Sequence, residues 1–264
     1  MSYFSQKVVW ITGATSGIGE YLAYELNKQG AKLVISGRRT TELERVKSFC
    51  SHKDQVFVLP FDVTQTINLT KNTEKVWNHF GQIDILINNA GISQRSYVLD
   101  TTLEVDRRIM EVNYFGAIAL TKAVLPYMKK QGSGQIVVTS SVMGKIGTPQ
   151  RSAYAASKHA LHGFYDSLRA EVVNDNITVC IICPGYVHTN ITLNALTADG
   201  SPMKSMSEST ENGYPPDVFA QKAARAIAQQ EEEVYIGKKE IIAVYIKRFF
   251  PKLWSYLVTR LNVT

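Results

Sequence analysis

Short apolar runs and helix-spaced apolar stripes alternate along almost the whole chain. The runs occupy 7–11, 32–36, 55–59, 83–88, 135–140, 177–183 and 234–236. Each is rich in Val, Ile or Leu and has the length of a strand buried on both faces. Between them the apolar period lengthens to that of a helix. Ile18, Leu22 and Leu26 form one stripe ahead of Gly30, a suitable C-terminal cap. Residues 103–130 and 152–174 predict two long helices. Strand–helix–strand repetition demands parallel pairing through right-handed crossovers. The pattern therefore predicts an α/β fold, one doubly wound parallel sheet of about seven strands with helices on both faces.

One connection breaks this rhythm. Residues 186–216, rich in Thr, Ser, Asn, Gly and Pro, leave the C-terminal end of a central strand. So long a connection is a tolerated surface insertion or a lid, and open α/β sheets bind ligands at this edge, which favours a substrate lid. At 264 residues, 45% hydrophobic and 20% charged, the composition suits a single domain over 1–240. The segment 241–264 has a different, apolar and basic character.

Charge and cysteines narrow the classes further. The net charge of +6 is dispersed, without the aromatic–basic pattern of a nucleic-acid surface, so no nucleic-acid partner is expected. Cys180 and Cys183 lie i, i+3 on a strand and so face opposite ways, as core residues do; neither a disulfide framework nor a metal site is expected. No stretch is apolar for long enough to span a bilayer and no leader pattern is seen, which makes a cytoplasmic location the default expectation.

Gly13, Gly17 and Gly19, with Thr15, Ser16 and Ile18 among them, link the first strand to the first helix. Glycine suits a turn where backbone N–H groups must approach a pyrophosphate closely. The spacing is GxxxGxG, which an ordinary tight turn also allows, but the strand-to-helix position favours a dinucleotide and a Rossmann-type sheet. The second strand ends Ser36-Gly37-Arg38-Arg39, where an NAD site commonly carries an acid. Two arginines there suit a 2′-phosphate, or simply form a solvated turn; the phosphate reading points to NADP(H), with Arg38 ahead of Arg39. Asp62 and Val63 end the third strand and Asn88, Asn89, Ala90 and Gly91 the fourth, at the edge where adenine and ribose would rest.

Tyr154 and Lys158 stand i, i+4 on a predicted helix and so share a face. A phenol titrates near 10, so acid–base work at neutrality needs roughly 4 kcal/mol of support for the phenolate. A cation about 4 Å away, at an effective dielectric near 20, supplies about that much. Ser141, just after a strand, can orient a carbonyl oxygen and stabilise a developing alkoxide. Asn113, in a predicted helix and flanked by Val112, Tyr114 and Phe115, is expected to turn inward for a water relay or a backbone bond.

With these residues in place the chain resembles the short-chain dehydrogenase/reductase family over nearly its whole length. The matching positions are Thr12 through Gly19, Asp62, Asn88 to Gly91, Asn113, Ser141, Tyr154, Lys158, Pro184-Gly185 and Thr189. The resemblance implies that Tyr154 is the general acid/base and that Lys158 lowers its pKa while holding the nicotinamide ribose. It implies further that Ser141 positions the substrate oxygen and that Asn113 extends the relay through water. Thr189 would meet the nicotinamide carboxamide or the pyrophosphate, and Pro184, Gly185 and Val187 would also contact the cofactor. NADP(H) is the implied cofactor, although Ser16 stands where the NADP-preferring branch often has a basic residue. Such proteins pair through their long central helices, so a homodimer or homotetramer is expected.

The segment 241–264 resembles the tail of the dehydrogenase/reductase member seven group, which implies a hydrophobic, steroid-, retinoid- or lipid-like ketone or aldehyde as substrate. Physically, its aromatic and basic residues suit a bilayer surface, a subunit contact or a cap on the substrate pocket. The alternative to an enzyme is a non-catalytic NADPH-binding regulatory protein, which would have no need of Ser141, Tyr154 and Lys158 together.

Overall fold

The computed structural model describes residues 2–260. Seven strands, β1 (Val8–Thr12), β2 (Lys32–Ser36), β3 (Val56–Val58), β4 (Ile85–Asn88), β5 (Gly134–Thr139), β6 (Ile177–Pro184) and β7 (Glu233–Ile236), build one sheet in the order β3-β2-β1-β4-β5-β6-β7. Every neighbouring pair is parallel. The order reverses direction between β1 and β4, which opens a crevice at their carboxyl ends.

Helices α1 (Gly17–Lys28), α2 (Thr40–Phe49), α3 (Leu69–Phe80), α4 (Leu103–Met110), α5 (Gly116–Gln131), α6 (Ser152–Glu171), α7 (Glu208–Glu211), α8 (Pro216–Ala228), α9 (Ile242–Phe249) and α10 (Pro251–Val258) surround it. Strand alternation sorts the side chains into two cores. Val9, Ile11, Leu33 and Ile35 meet Leu22, Leu43 and Phe219 of α1, α2 and α8. Val8, Trp10, Val34 and Leu86 meet Val76, Leu120 and Tyr165 of α3, α5 and α6 on the other face. This two-sided burial, worth about 1.5–3 kcal/mol per large apolar side chain, is why the strands read as unbroken apolar runs. Cys180 joins the first core and Cys183 the second, the opposite facing expected of i and i+3 on a strand.

Two predicted helices differ in detail. The one expected over 103–130 is interrupted: α4 ends at Met110, a π-helical turn covers Glu111–Phe115, and α5 resumes at Gly116. The one expected over 152–174 ends at Glu171, and Asn176 turns the chain into β6 with φ of 54°. Such a left-handed conformation is one that asparagine tolerates.

The segment 186–216 is ordered by a few local pairings rather than by a sheet. Val187 bridges Tyr214, and Leu196 bridges both Gln94 and Pro202. The C-terminal segment forms α9 and α10, broken at Phe250–Pro251 as proline requires. Its last four residues, 261–264, lie outside the described residues.

Candidate active site

The end of β1 makes the floor of the crevice. Thr12 Oγ1 accepts hydrogen bonds from the Asn89 and Ala90 backbone N–H groups, both at 3.1 Å, and so fixes the loop after β4 against the glycine turn. The Asn89 side chain returns the tie by donating to the carbonyls of Thr12 and Gly13. Gly13 has φ of +66°, and a Cβ there would lie 2.7 Å from Ala90 Cα. A Cβ on Gly19 would run into the Gly13 carbonyl oxygen. These contacts explain why the turn consists of glycines. What it leaves free is the N-terminus of α1 from Gly17, whose first N–H groups have no partner within the helix. Thr15, Ser16 and Ile18 complete this turn, and Thr189 closes over Gly17, 3.0 Å from where its Cβ would be. A narrow cradle at a helix N-terminus fits a pyrophosphate.

At the end of β2 no acid replaces the arginines. Arg38 is mostly exposed, 4.0 Å from Asp62, while Arg39 donates to Thr15 Oγ1 at 3.2 Å. Arg39 therefore stands at the glycine turn and Arg38 beside Asp62 at the end of the neighbouring strand. Asp62 accepts from the Thr64 backbone and hydroxyl, and Val63 packs on Gly116 at the head of α5. Asn88 differs from its neighbour. Its amide donates to Thr121 and Tyr165, anchoring β4 to α5 and α6 rather than to another strand.

Tyr154 and Lys158 lie on the buried face of α6, exposed by only 8% and 4%. Lys158 Nζ is 5.8 Å from the Tyr154 ring centroid and donates to the Thr139 carbonyl at 2.8 Å. Gly91 lies between the lysine and Asn113; a Cβ there would be 3.6 Å from Nζ and 3.3 Å from Asn113 Oδ1. Asn113 sits in the π-helical turn, a distortion frequent at functional sites. Its Oδ1 accepts from the Ile92 N–H at 2.8 Å, and its Nδ2 donates to the Ile92 carbonyl and to Ser157 Oγ. The asparagine thus turns inward for backbone bonds. Ser157, which sequence reasoning passed over, donates in turn to the Tyr154 carbonyl at 2.8 Å.

The two adjacent serines are distinguished by their surroundings. Ser140 is engaged with the Lys158 carbonyl and with His162. His162 faces Glu233, whose carboxylate also holds Lys145 at 2.8 Å. Ser141 accepts from the Met143 N–H and donates weakly, at 3.4 Å, to the Pro184 carbonyl. Its hydroxyl is the one free to turn toward Tyr154. Behind Pro184, Gly185 is packed so tightly on the Glu240 carboxylate that a Cβ would not fit, and Val187 is buried.

The electrostatics differ from the simple lysine-beside-phenol expectation. Burial pushes the Tyr154 phenol above its usual range, with the Arg151 charge and the Ser141 hydroxyl pulling the other way. Burial also brings the Lys158 ammonium down to about 8, opposed by nearby Cys183. At neutral pH the protein alone therefore presents a protonated phenol, the form that donates a proton. Burial is the main reason, and Lys158, which donates to the Thr139 carbonyl, does not offset it.

Comparison with known proteins follows this geometry. The family model described as short chain dehydrogenase matches residues 7–199. The chain belongs to the short-chain dehydrogenase family. Among similar members, "Dehydrogenase/reductase SDR family protein 7-like" of Drosophila melanogaster is 44% identical over 260 residues, covering 96% of this chain and 80% of that protein. "Dehydrogenase/reductase SDR family member 7B" of Mus musculus is 42% identical over 259 residues, with the same coverage of 96% and 80%. A short chain dehydrogenase/reductase from Burkholderia phymatum, solved in complex with NAD, shares the fold at a TM-score of 0.85 and 23% identity, covering 96% of both chains. An alcohol dehydrogenase from Thermococcus sibiricus, complexed with 5-hydroxy-NADP, superposes with a TM-score of 0.76 at 26% identity, covering 89% of this chain and 98% of that one. Short-chain dehydrogenases are oxidoreductases that bind a nicotinamide cofactor, and the cradle around Gly13, Gly17 and Gly19 fits one. Among the described residues no helix is long and apolar enough to cross a membrane.

Proposed function

We propose that this short-chain dehydrogenase is an NADP(H)-dependent reductase of a largely apolar ketone or aldehyde. The observation that carries the reading is the grouping of three side chains from α6 and the end of β5: the Ser141 hydroxyl and Lys158 both lie against Tyr154, and Lys158 reaches Gly91. Bound NADPH would supply the hydride that reduces the carbonyl carbon. Ser141 holds the carbonyl oxygen, and Tyr154 donates its phenolic proton to that oxygen as the alcohol forms. Tyr154 is protonated at neutral pH, the form this direction consumes, and the Ser141 hydroxyl and the Arg151 charge act against the burial that weakens it as an acid. Lys158 holds the ribose and returns a proton toward the phenolate, while Asn113 and Ser157 act as positioning residues by fixing Ile92 and the backbone of Tyr154. Thr15, Ser16 and Ile18 line the pyrophosphate turn, with Thr189 over Gly17; Asp62, Val63, Asn89 and Ala90 flank adenine and ribose; Pro184 and Val187 border the nicotinamide.

Preference for NADP(H) is supported by Arg38 and Arg39 where an acid would be needed for a free ribose hydroxyl. The segment 186–216 serves as the lid, and pairing of the chain through α5 and α6 completes the reading. The test is NADPH oxidation across a panel of hydrophobic ketones and aldehydes. Turnover that survives intact in Tyr154→Phe would overturn the mechanism; tight NADPH binding without turnover of any carbonyl would favour the regulatory alternative.

A further inference from the structure

Arg151 lies beside Tyr154 and Arg95 lies near Arg151, and among the described residues no carboxylate answers either. Arg151 immediately precedes α6, three positions ahead of Tyr154, and its guanidinium carbon is 5.9 Å from the tyrosine ring centroid. One nitrogen of that group donates to Ser93 Oγ. Arg95, in the loop after β4, is 8% exposed, and its Nε and Nη2 are buried with no hydrogen-bond partner. Neither arginine forms an ion pair with any Asp or Glu among the described residues.

The backbone holds Arg95 firmly in this position. Its own N–H donates to the Leu196 carbonyl at 2.8 Å, and the Ser96 N–H donates to the Gln150 carbonyl beside Arg151. Burial weakens the charged form of both groups, and the Arg151 charge adds to the penalty on Arg95. Tyr186, where the lid begins, is the further group close enough to influence both. The loop after β4, the start of α6 and the root of the lid thus bring two cations together, with Arg151 next to the tyrosine.

A guanidinium stays protonated wherever it is placed, and a buried charge is normally paired. A purely structural role accounts for Arg151, which holds Ser93. It leaves Arg95 unexplained, since its buried nitrogens bind nothing. Nor are these arginines placed for the cofactor phosphates, whose cradle lies at the glycine turn near Arg38 and Arg39. We propose that Arg95 and Arg151 form a subsite for an anionic group on the carbonyl substrate, a carboxylate or a phosphate monoester. The substrate is then an amphiphile: a reducible carbonyl at Tyr154, an apolar body, and an anion seated on two guanidinium forks that suit planar or tetrahedral oxyanions. The inference rests on the reductase reading for its carbonyl and on the arginines for its anion.

Two measurements keep these parts separate. In the first, NADPH oxidation is followed with long-chain keto acids, keto-alkyl phosphates and the neutral methyl esters and alcohols of the same skeletons. The expected kcat/KM favours the anionic member of a pair by about 10- to 100-fold, and this ratio falls toward one in Arg95→Met and in Arg151→Gln. A ratio near one in the wild-type protein, or one that survives both substitutions, overturns the subsite. In the second, dodecanoate, dodecyl phosphate and dodecanol are titrated into the full chain saturated with NADP+. Tighter binding of either anion than of dodecanol, by about 10-fold or more and lost in Arg95→Met, supports the subsite even if no carbonyl is turned over. That combination would defeat the reductase reading alone. Equal affinity for all three probes would defeat the anion subsite alone, and whichever anion binds tighter identifies the head group.

Discussion

At the scale of single residues the site is governed by burial more than by pairwise attraction. Tyr154→Phe keeps the ring and its packing but removes the proton donor. Its kcat is expected to fall by about 10²- to 10⁴-fold, with NADPH affinity, read by cofactor fluorescence, within a few-fold of the wild type. Lys158 makes a prediction about pH. Its folded value of about 8 lies below the usual 10.5. Between those values the unfolded chain binds more protons than the folded one, so stability rises with pH across that window and the penalty is fully present below pH 8. Urea unfolding of wild type and Lys158→Met at pH 7 and pH 10 should show the difference moving in favour of the wild type by about 2–3 kcal/mol at the higher pH. A difference independent of pH would mean that the lysine is not held as a buried charge. Arg38 is tested by cofactor choice: Arg38→Glu is expected to raise the KM for NADPH by about 10- to 100-fold, and a KM for NADH that rises equally would remove the phosphate role. Sequence pattern identified Tyr154, Lys158, Ser141 and Asn113 because helix spacing and strand ends constrain them locally. Ser157, Arg95 and Arg151 escaped it because their partners are distant or missing; the Asn113–Ser157 bond joins positions 44 apart in the chain, a juxtaposition that only the packed helices create.

At the scale of elements, all seven strands were legible because both sheet faces are buried and the strands keep near-continuous apolar runs. The break between α4 and α5 was not. A π-helical turn shifts the helical phase by about one residue, too little to disturb the apolar stripe from Val105 to Leu120. Yet that shift lies where Asn113 reaches Ile92 and Ser157. Glycine-turn geometry is open to a controlled test, since Gly13 and Gly81 share a left-handed φ but not their surroundings. A Cβ on Gly81 meets nothing within 4 Å, whereas one on Gly13 lies 2.7 Å from Ala90 Cα. Gly81→Ala is expected to cost only the backbone strain, about 1–2 kcal/mol. Gly13→Ala should cost clearly more in thermal unfolding and also weaken NADPH binding. Equal losses would mean that the close approach of β1 and the loop after β4 contributes nothing.

At the scale of the whole molecule, the C-terminal helices present a surface that the sheet and its cores do not explain. Val244 and Trp254 anchor α9 and α10, leaving Ile242, Tyr245, Phe249, Phe250, Leu253 and Tyr256 exposed. Lys247, Arg248 and Lys252 are exposed alongside them. A second copy of this chain laid symmetrically on that surface would set like charges against one another, whereas an anionic bilayer complements them and accepts the aromatic rings at its interface. We propose a membrane surface as its occupant. The wild-type protein should float with vesicles containing about 30% phosphatidylserine and be released as salt rises past roughly 0.5 M, because surface electrostatics screen over a few ångströms there. Phe249→Ser/Phe250→Ser/Leu253→Ser should lose flotation while eluting at the same oligomeric mass in light scattering. A drop in oligomeric mass, with flotation absent in the wild type as well, would show instead that these helices join subunits.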